Sequence, residues 1–178
     1  MYSYVLKFWF DEIDSKMWWV SDSNFDNQIK DKFENLVTQA SQGELYEWRK
    51  EPKGRLAEII LLDQFSRNIY RNTPKAFAND QLALVLAQEA VETKVPHVLT
   101  KTECGFLLLP FMHSESKKIH HIAEILYREY AASYNYEYEL KHKAIIDRFG
   151  RYPHRNAVLG RESNTDEVEF LKQPGSSF

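Results

Sequence analysis

A chain of 178 residues is the size of one domain with a sizeable core, built by burying about 70% of the surface that the unfolded chain exposes. Its 23 Lys and Arg against 26 Asp and Glu exclude the broad positive field that phosphate-backbone binding needs, so no nucleic-acid partner is expected and any anion site has to be local. The single cysteine, Cys104, excludes an internal disulfide framework and a multi-cysteine zinc site and suits a reducing compartment, with the cytoplasm the expected location.

Met1 to Phe10 is apolar and aromatic, yet it has no basic start, long Leu/Ala run or small-residue cleavage site before Asp11 and Glu12. It therefore reads as part of the fold rather than a leader, with Ser3 as N-cap of a short helix that presents Val5, Leu6, Phe8 and Trp9 to the core. Beyond Ser21 to Ser23, the residues Phe25, Ile29, Phe33, Leu36, Val37 and Ala40 recur at three or four, and Gly43 stops that amphipathic helix. A turn or two with Leu45 and Trp48 follows. Pro52 and Gly54 then reset the chain before Leu56 to Leu62, which is apolar nearly all round and marks a central, buried helix.

Thr73 and Pro74 read as the cap and first turn of a helix running through Phe77 to Val91 and ending before Pro96. Cys104 to Leu109 is a further apolar segment, cut by Pro110. Ser114 is the expected cap of a helix carrying Ile119, Ile122, Ala123, Ile125, Leu126 and Tyr130, and Tyr136 to Phe149 forms another, stopped by Gly150. Gly150 to Ser163 has no helical period and is long for a loop in a compact helical domain, which is a functional signal. Asn164 with Glu167 reads as a capping box for a last short helix through Phe170 and Leu171. The longest apolar runs, Ile59 to Leu62 and Phe106 to Met112, fall far short of the roughly 20 residues that cross a bilayer, so no membrane partner is expected.

Three segments set charge beside apolar helices. Asp63, Arg67 and Arg71 continue the central helix at intervals of four and share a face if the helix persists. Buried charge must be paired, so an Asp63–Arg67 ion pair is the plain explanation, and arginine forks offered to a carboxylate or phosphate the sharper one. His113, Ser114 and Glu115 deliver an imidazole and a carboxylate to a helix start, as an acid/base pair or as ordinary capping. Arg151, His154, Arg155 and Asn156 sit in the long loop, stiffened by Pro153. They either bind something or tie the last helix to the body. Asp80 can pair with one of the arginines, and His142 falls on the polar side of its helix. No HExxH or similar spacing supports a metal site, and Cys104 lies in an apolar run where its thiol is inert.

Taken in order, the motifs resemble a known family. They are Phe8-Trp9-Phe10, Trp18-Trp19, Phe25-Asp26, Leu62-Asp63-Gln64-Phe65 with Arg67-Asn68, Ala76-Phe77-Ala78 with Asp80, Leu109 to Glu115, Phe149 to Asn156, and Leu159-Gly160-Arg161. The chain is similar over almost its whole length to the bacterial family called domain of unknown function 924. It departs at Asp11, where a glycine is usual, at Ser66 for a common proline, at Ser116 and His120 for aspartate and glutamine, and at Asn164 for threonine. The resemblance implies a tetratricopeptide-like helical fold and a map of marked polar positions, and implies no reaction.

The resulting expectation is an all-α protein, an antiparallel helical array resembling a tetratricopeptide-type α-α superhelix of about eight to nine helices. One domain spans 1–172, with a flexible tail over 173–178. Asp63, Arg67, Arg71, Arg151, Arg155 and Asn156 are expected to hold a small anionic molecule, with His113, Glu115 and His154 as acid/base candidates. The alternative is a peptide-binding module whose arginines clamp a terminal carboxylate, and a third reading makes all three segments a structural polar network. The sequence names no cofactor and fixes no oligomeric state.

Overall fold

The apolar period of the chain is realised as helix throughout: the computed structural model describes residues 1–177 and contains no strand among them. Helix α1 (Tyr2–Lys7) runs into a π-helical turn, Phe8–Glu12, and buries Val5, Phe8 and Trp9. Ser3 lies within α1 and caps nothing; the cap position is Met1. A 3-10 turn, Ser15–Trp19, leads to α2 (Ser23–Ser41), where the Asp22 side chain accepts from the Phe25 amide at 2.8 Å. The expected α2 stripe of Phe25, Ile29, Phe33, Val37 and Ala40 is buried.

The central helix does persist. Pro52–Ile60, a π turn Leu61–Phe65 and Ser66–Ile69 form one continuous rod, α3, over 52–69. Gly54 sits in its first turn because the preceding chain passes close by: a Cβ there would lie 2.1 Å from the Trp48 carbonyl oxygen. One residue of the apolar run is not apolar. Glu58 is fully buried and takes a two-pronged ion pair from Arg49, with both N–H to O distances 2.7 Å.

Thr73 and Pro74 open only a 3-10 turn, Pro74–Phe77, and the Thr73 hydroxyl donates back to the Tyr70 carbonyl instead of capping. Helix α4 (Asp80–Glu92) starts three residues later, after Asn79 has turned its side chain to Ser66. Thr100 and Glu103 make a reciprocal capping box for α5 (Lys101–Leu107). Pro110 does not end the helical path: it occupies the first turn of α6 (Leu109–Met112), where its missing N–H leaves nothing unsatisfied.

Helix α7 (Lys117–Tyr130) is capped by Ser116 and not by Ser114, so Glu115 precedes the helix and is not in its first turn. Only Ala131 and Ala132 separate α7 from α8 (Ser133–Phe149), and these two helices pack along each other. Gly150, at φ +72, closes α8 in the left-handed region, and α9 (Thr165–Leu171) carries the expected Asn164–Glu167 capping box. With α3 counted as one rod, nine helices lie among the described residues.

One core gathers α1 to α7 around the rings of Phe8, Trp9, Phe25, Phe33, Phe65 and Phe106. A small satellite of Ile145, Ile146 and Tyr152, with Phe149 and Phe170 against it, lies under the long loop. In the tail, the Ser176 hydroxyl donates to the Leu171 carbonyl and is buried; Phe178 lies outside the described residues. No helix among the described residues is long and apolar enough to cross a membrane.

Candidate functional site

The charged end of α3, the C-terminus of α6, one face of α8 and the long loop meet around a cavity of about 610 Å³. Its inner surface contains Arg67, His113, His142, Tyr152, His154 and Arg155, while Trp18, Trp19, Tyr134 and Tyr138 bring aromatic surface to it. The exposures divide these groups by depth. Arg155, His142 and Tyr152 are almost inaccessible, whereas Trp19, Tyr134 and Tyr138 are half-exposed at the rim.

Asp63 lies in the π turn of α3, and its carboxylate is the hub behind the cavity wall. Oδ1 stands 2.7 Å from His113 Nδ1 and 3.1 Å from Arg67 Nη1, and Oδ2 accepts from Gln64 at 2.7 Å. Burial alone would raise this carboxyl, but the Arg67 guanidinium and His113 outweigh it and hold Asp63 well below the usual carboxylate range. Burial, reinforced by Arg67 and opposed by Asp63, pushes His113 down, so its imidazole is neutral at pH 7. The carboxylate partner assigns the proton to Nδ1 and leaves Nε2 as an acceptor, with no partner among the described residues. His113 is the residue after α6, at a helix C-terminus; the anion-friendly helix start expected beside it is absent from this position.

Asp80, at the start of α4, binds two arginines. Arg67 engages it two-pronged at 2.9 Å on each side, and Arg155 reaches it at 3.3 Å. Arg155 also donates to the His113 carbonyl at 3.0 Å, answering one of the carbonyls left open where α6 ends. Its guanidinium lies 4.5 Å from the Tyr152 ring centroid and 4.8 Å from that of Phe77, and Nε is buried with no hydrogen-bond partner among the described residues. Arg71 follows the end of the rod and turns to Asp26, taking it at 2.6 and 2.9 Å, while Asn68 donates to the same carboxylate at 2.8 Å.

His142 is buried on the α8 face that carries Asn135 and Tyr138, not on a polar outer side. Its Nδ1 is 2.8 Å from the Tyr138 carbonyl, and burial brings its pKa down to about 3. Burial, helped by Arg155, lowers His154 to about 4. The cavity therefore presents neutral imidazoles among paired guanidinium groups. Among the described residues no group of three or more His, Cys, Asp or Glu side chains is arranged to hold a metal ion.

Asp63, Arg67, Arg71, His113, His154 and Arg155 thus converge, with Asp63 behind the wall and the others on it. Glu115, Arg151 and Asn156 do not border the cavity. Glu115 takes a two-pronged pair from Arg161 at 2.6 and 2.9 Å and accepts from the Tyr152 amide at 2.8 Å. Arg151 pairs with Glu167 at 2.7 and 2.8 Å, which draws that carboxyl down to about 2. Asn156 joins Ser163, Glu167 and Arg161. These residues clasp the long loop to α9 and to the segment before α7.

Sequence reasoning missed Tyr152, whose hydroxyl donates to the Met112 carbonyl and whose ring supports Arg155. It also missed the aromatic rim. The α8 contribution had a signal, since Asn135, Tyr138 and His142 are spaced by three and four, as one helical face requires. His120, fully buried, is engaged elsewhere, 2.7 Å from the buried carboxylate of Glu139 and 2.8 Å from the Ser114 carbonyl. Cys104 is buried in the core with its thiol pushed up to about 11, which is the chemistry of an inert group.

The model of the bacterial protein family of unknown function DUF924 matches residues 5–175, and the chain belongs to that family. A solved structure of a protein of unknown function from Agrobacterium tumefaciens is 32% identical, covers 96% of each chain and superposes with a TM-score of 0.91. No protein of curated function matches the chain.

Proposed function

We propose that this family member binds a small molecule bearing one carboxylate in the cavity between α3, α6, α8 and the long loop, and that His113 acts on it as the acid/base group. The observation that carries this reading is the Asp63–His113 pair. A buried carboxylate 2.7 Å from Nδ1 fixes the tautomer and ring orientation, and Nε2 remains an acceptor on a residue that lines a 610 Å³ cavity. The volume falls in the range of pockets that enclose small organic ligands, about 300–1,000 Å³.

Charge sets the ligand class. Arg67, Arg71 and Arg155 are matched one for one by Asp63, Asp26 and Asp80, and the histidines are depressed. A phosphate dianion would bring two charges to a wall with no net positive charge, at a desolvation cost well above that of a monoanion held by one or two N–H donors. A single carboxylate, oriented by N–H groups already held in place, is the better fit. Because the deep polar groups lie behind an aromatic rim, a compact molecule suits the site better than an extended peptide.

A thermal-shift series with mono- and dicarboxylates and phosphates at about 10 mM tests this, since a ligand at 100 times its Kd raises stability by about 2.7 kcal/mol. Carboxylates should stabilise the protein and phosphates should not, and the shift should shrink in His113→Asn and Arg155→Lys. A flat response to every carboxylate would sink the proposal. It would favour the second reading that Asp80 suggests: by accepting from both Arg67 and Arg155, it makes the network self-sufficient, a polar lock between loop and core.

A further inference from the structure

Four aromatic side chains border the same cavity from two separate parts of the chain, Trp18 and Trp19 from the 3-10 turn after α1 and Tyr134 and Tyr138 from the start of α8. Trp19 is 56% exposed, Tyr138 50% and Tyr134 43%. Large rings left in water forgo the 150–250 Å² of burial that each can contribute, so several at one cavity mouth mark a surface that is covered when the site is occupied. Two of them are held rigidly. Trp18 donates Nε1–H to the Trp9 carbonyl at 2.9 Å and sets its ring edge-on to Phe106 at 4.9 Å. Trp19 stacks on Phe106 with centroids 5.6 Å apart and planes within 5°. A rim fixed before binding loses little conformational freedom when a ligand arrives.

We infer that the carboxylate ligand carries a planar aromatic body of about two rings, lodged against Trp18, Trp19, Tyr134 and Tyr138 while its acid group lies deeper, toward Arg155, whose buried Nε–H has no partner among the described residues. The inference rests on the proposed carboxylate site and adds the part of the molecule that the polar groups cannot recognise. A small aliphatic acid would leave most of the 610 Å³ cavity and the whole rim unused. A flat aromatic acid matches both halves, since offset stacking rewards ring against ring and the inner N–H groups receive the carboxylate.

The test compares three probes on the full chain by calorimetry: 1-naphthylacetate, acetate, and 2-(1-naphthyl)ethanol, which keeps the rings and lacks the charge. We expect naphthylacetate to bind at least about tenfold more tightly than either of the others, a step of 1.4 kcal/mol in binding free energy. Trp19→Leu and Tyr138→Leu, both at exposed positions, should each weaken naphthylacetate about fivefold and leave acetate unchanged, within the range of one ring–ring contact. If acetate binds as tightly as naphthylacetate, or both rim variants bind naphthylacetate like the parent, the aromatic inference is overturned while the carboxylate site stands. If the naphthylethanol matches naphthylacetate, the carboxylate reading fails and takes this inference with it. Absence of binding by all three probes overturns both.

Discussion

The cavity wall and the loop clasp are built from the same materials and do different things. Around Asp80, Arg67 and Arg155 share one carboxylate beside His113, His142 and His154; around Glu115 and Glu167, Arg161 and Arg151 each take a carboxylate of their own. In the clasp every strong acceptor has its own fork, and Asn156 fills the remaining valences. At the wall, Arg67 bridges Asp63 and Asp80, Arg155 shares Asp80 with its buried Nε left without a partner among the described residues, an imidazole keeps an acceptor nitrogen open, and space lies in front of it. Residue type does not separate a site from a fastener. The separation comes from whether hydrogen-bonding capacity is left over, and whether it faces a cavity.

The cavity wall depends most heavily on Asp80. Asp80→Asn leaves Arg67 and the almost inaccessible Arg155 without their shared countercharge, and it should lower unfolding free energy by about 3–5 kcal/mol, measured by urea denaturation. A loss below about 1 kcal/mol would mean that water already balances these charges.

Acid should then separate the two regions in time. His142 and His154 have pKa values of about 3 and about 4 in the fold, below the ordinary imidazole value. Groups depressed in this way give stability that is complete above about pH 6.5 and drains as pH falls toward those values, by about 1.4 kcal/mol per pH unit for each histidine. Glu115 and Glu167 are also depressed, but as carboxyls their contribution is lost only below about pH 4.5, as pH falls toward the folded values. Between pH 6.5 and 4.5 the cavity region should therefore loosen before the clasp. Amide exchange on α8, which carries His142, and on α9, which carries Glu167, would show the order, and His154→Asn should flatten the pH slope of stability. Simultaneous opening would contradict it.

At the clasp, Glu115→Gln should lose about 1–3 kcal/mol, since it gives up charge-assisted bonds from Arg161 in a partly exposed setting. It should leave carboxylate binding within about twofold of the parent by calorimetry, where RT ln 2 is about 0.4 kcal/mol; a larger loss would join the two regions into one unit. The smallest effect belongs to Arg71→Lys, which trades a two-pronged grip on Asp26 for a point contact at a one-third exposed side chain and should change stability by no more than about 1 kcal/mol.

Much of the framework was legible because it is local. The stripe of α2, the Asn164–Glu167 box and the continuation of the central helix through Asp63 all follow from spacing within a few turns. The site was half legible. Arg67 and His113 announced themselves as polar residues beside apolar helices, but nothing local says that Asp80 will collect Arg155 from 75 positions away. Errors at helix starts have the same origin. Ser114 and Ser116 are equally good caps on paper, and the choice follows Glu115, which is drawn to Arg161 at 46 positions' remove and so stays outside the helix. The Thr100–Glu103 box was readable and was hidden only by taking the apolar run to begin at Cys104.

The widened turn at Leu61–Phe65 has a consequence for how this chain tolerates insertions and deletions. A π turn accommodates one residue more than an α turn, so removing a single residue there would let the rod close as regular helix with the residues after it still on their present faces, whereas the same deletion in a regular stretch would swing everything after it by about 100°. Arg67 would keep its side of the rod toward Asp80, and Asn68 and Arg71 theirs toward Asp26, after a deletion in the turn, and would lose those partners after a deletion elsewhere in the rod. The widening takes up the extra residue locally, so a greasy half that faces the core and a charged half that faces the cavity keep their relative phase with or without it, and this turn is the place in the rod where a change of one residue is absorbed.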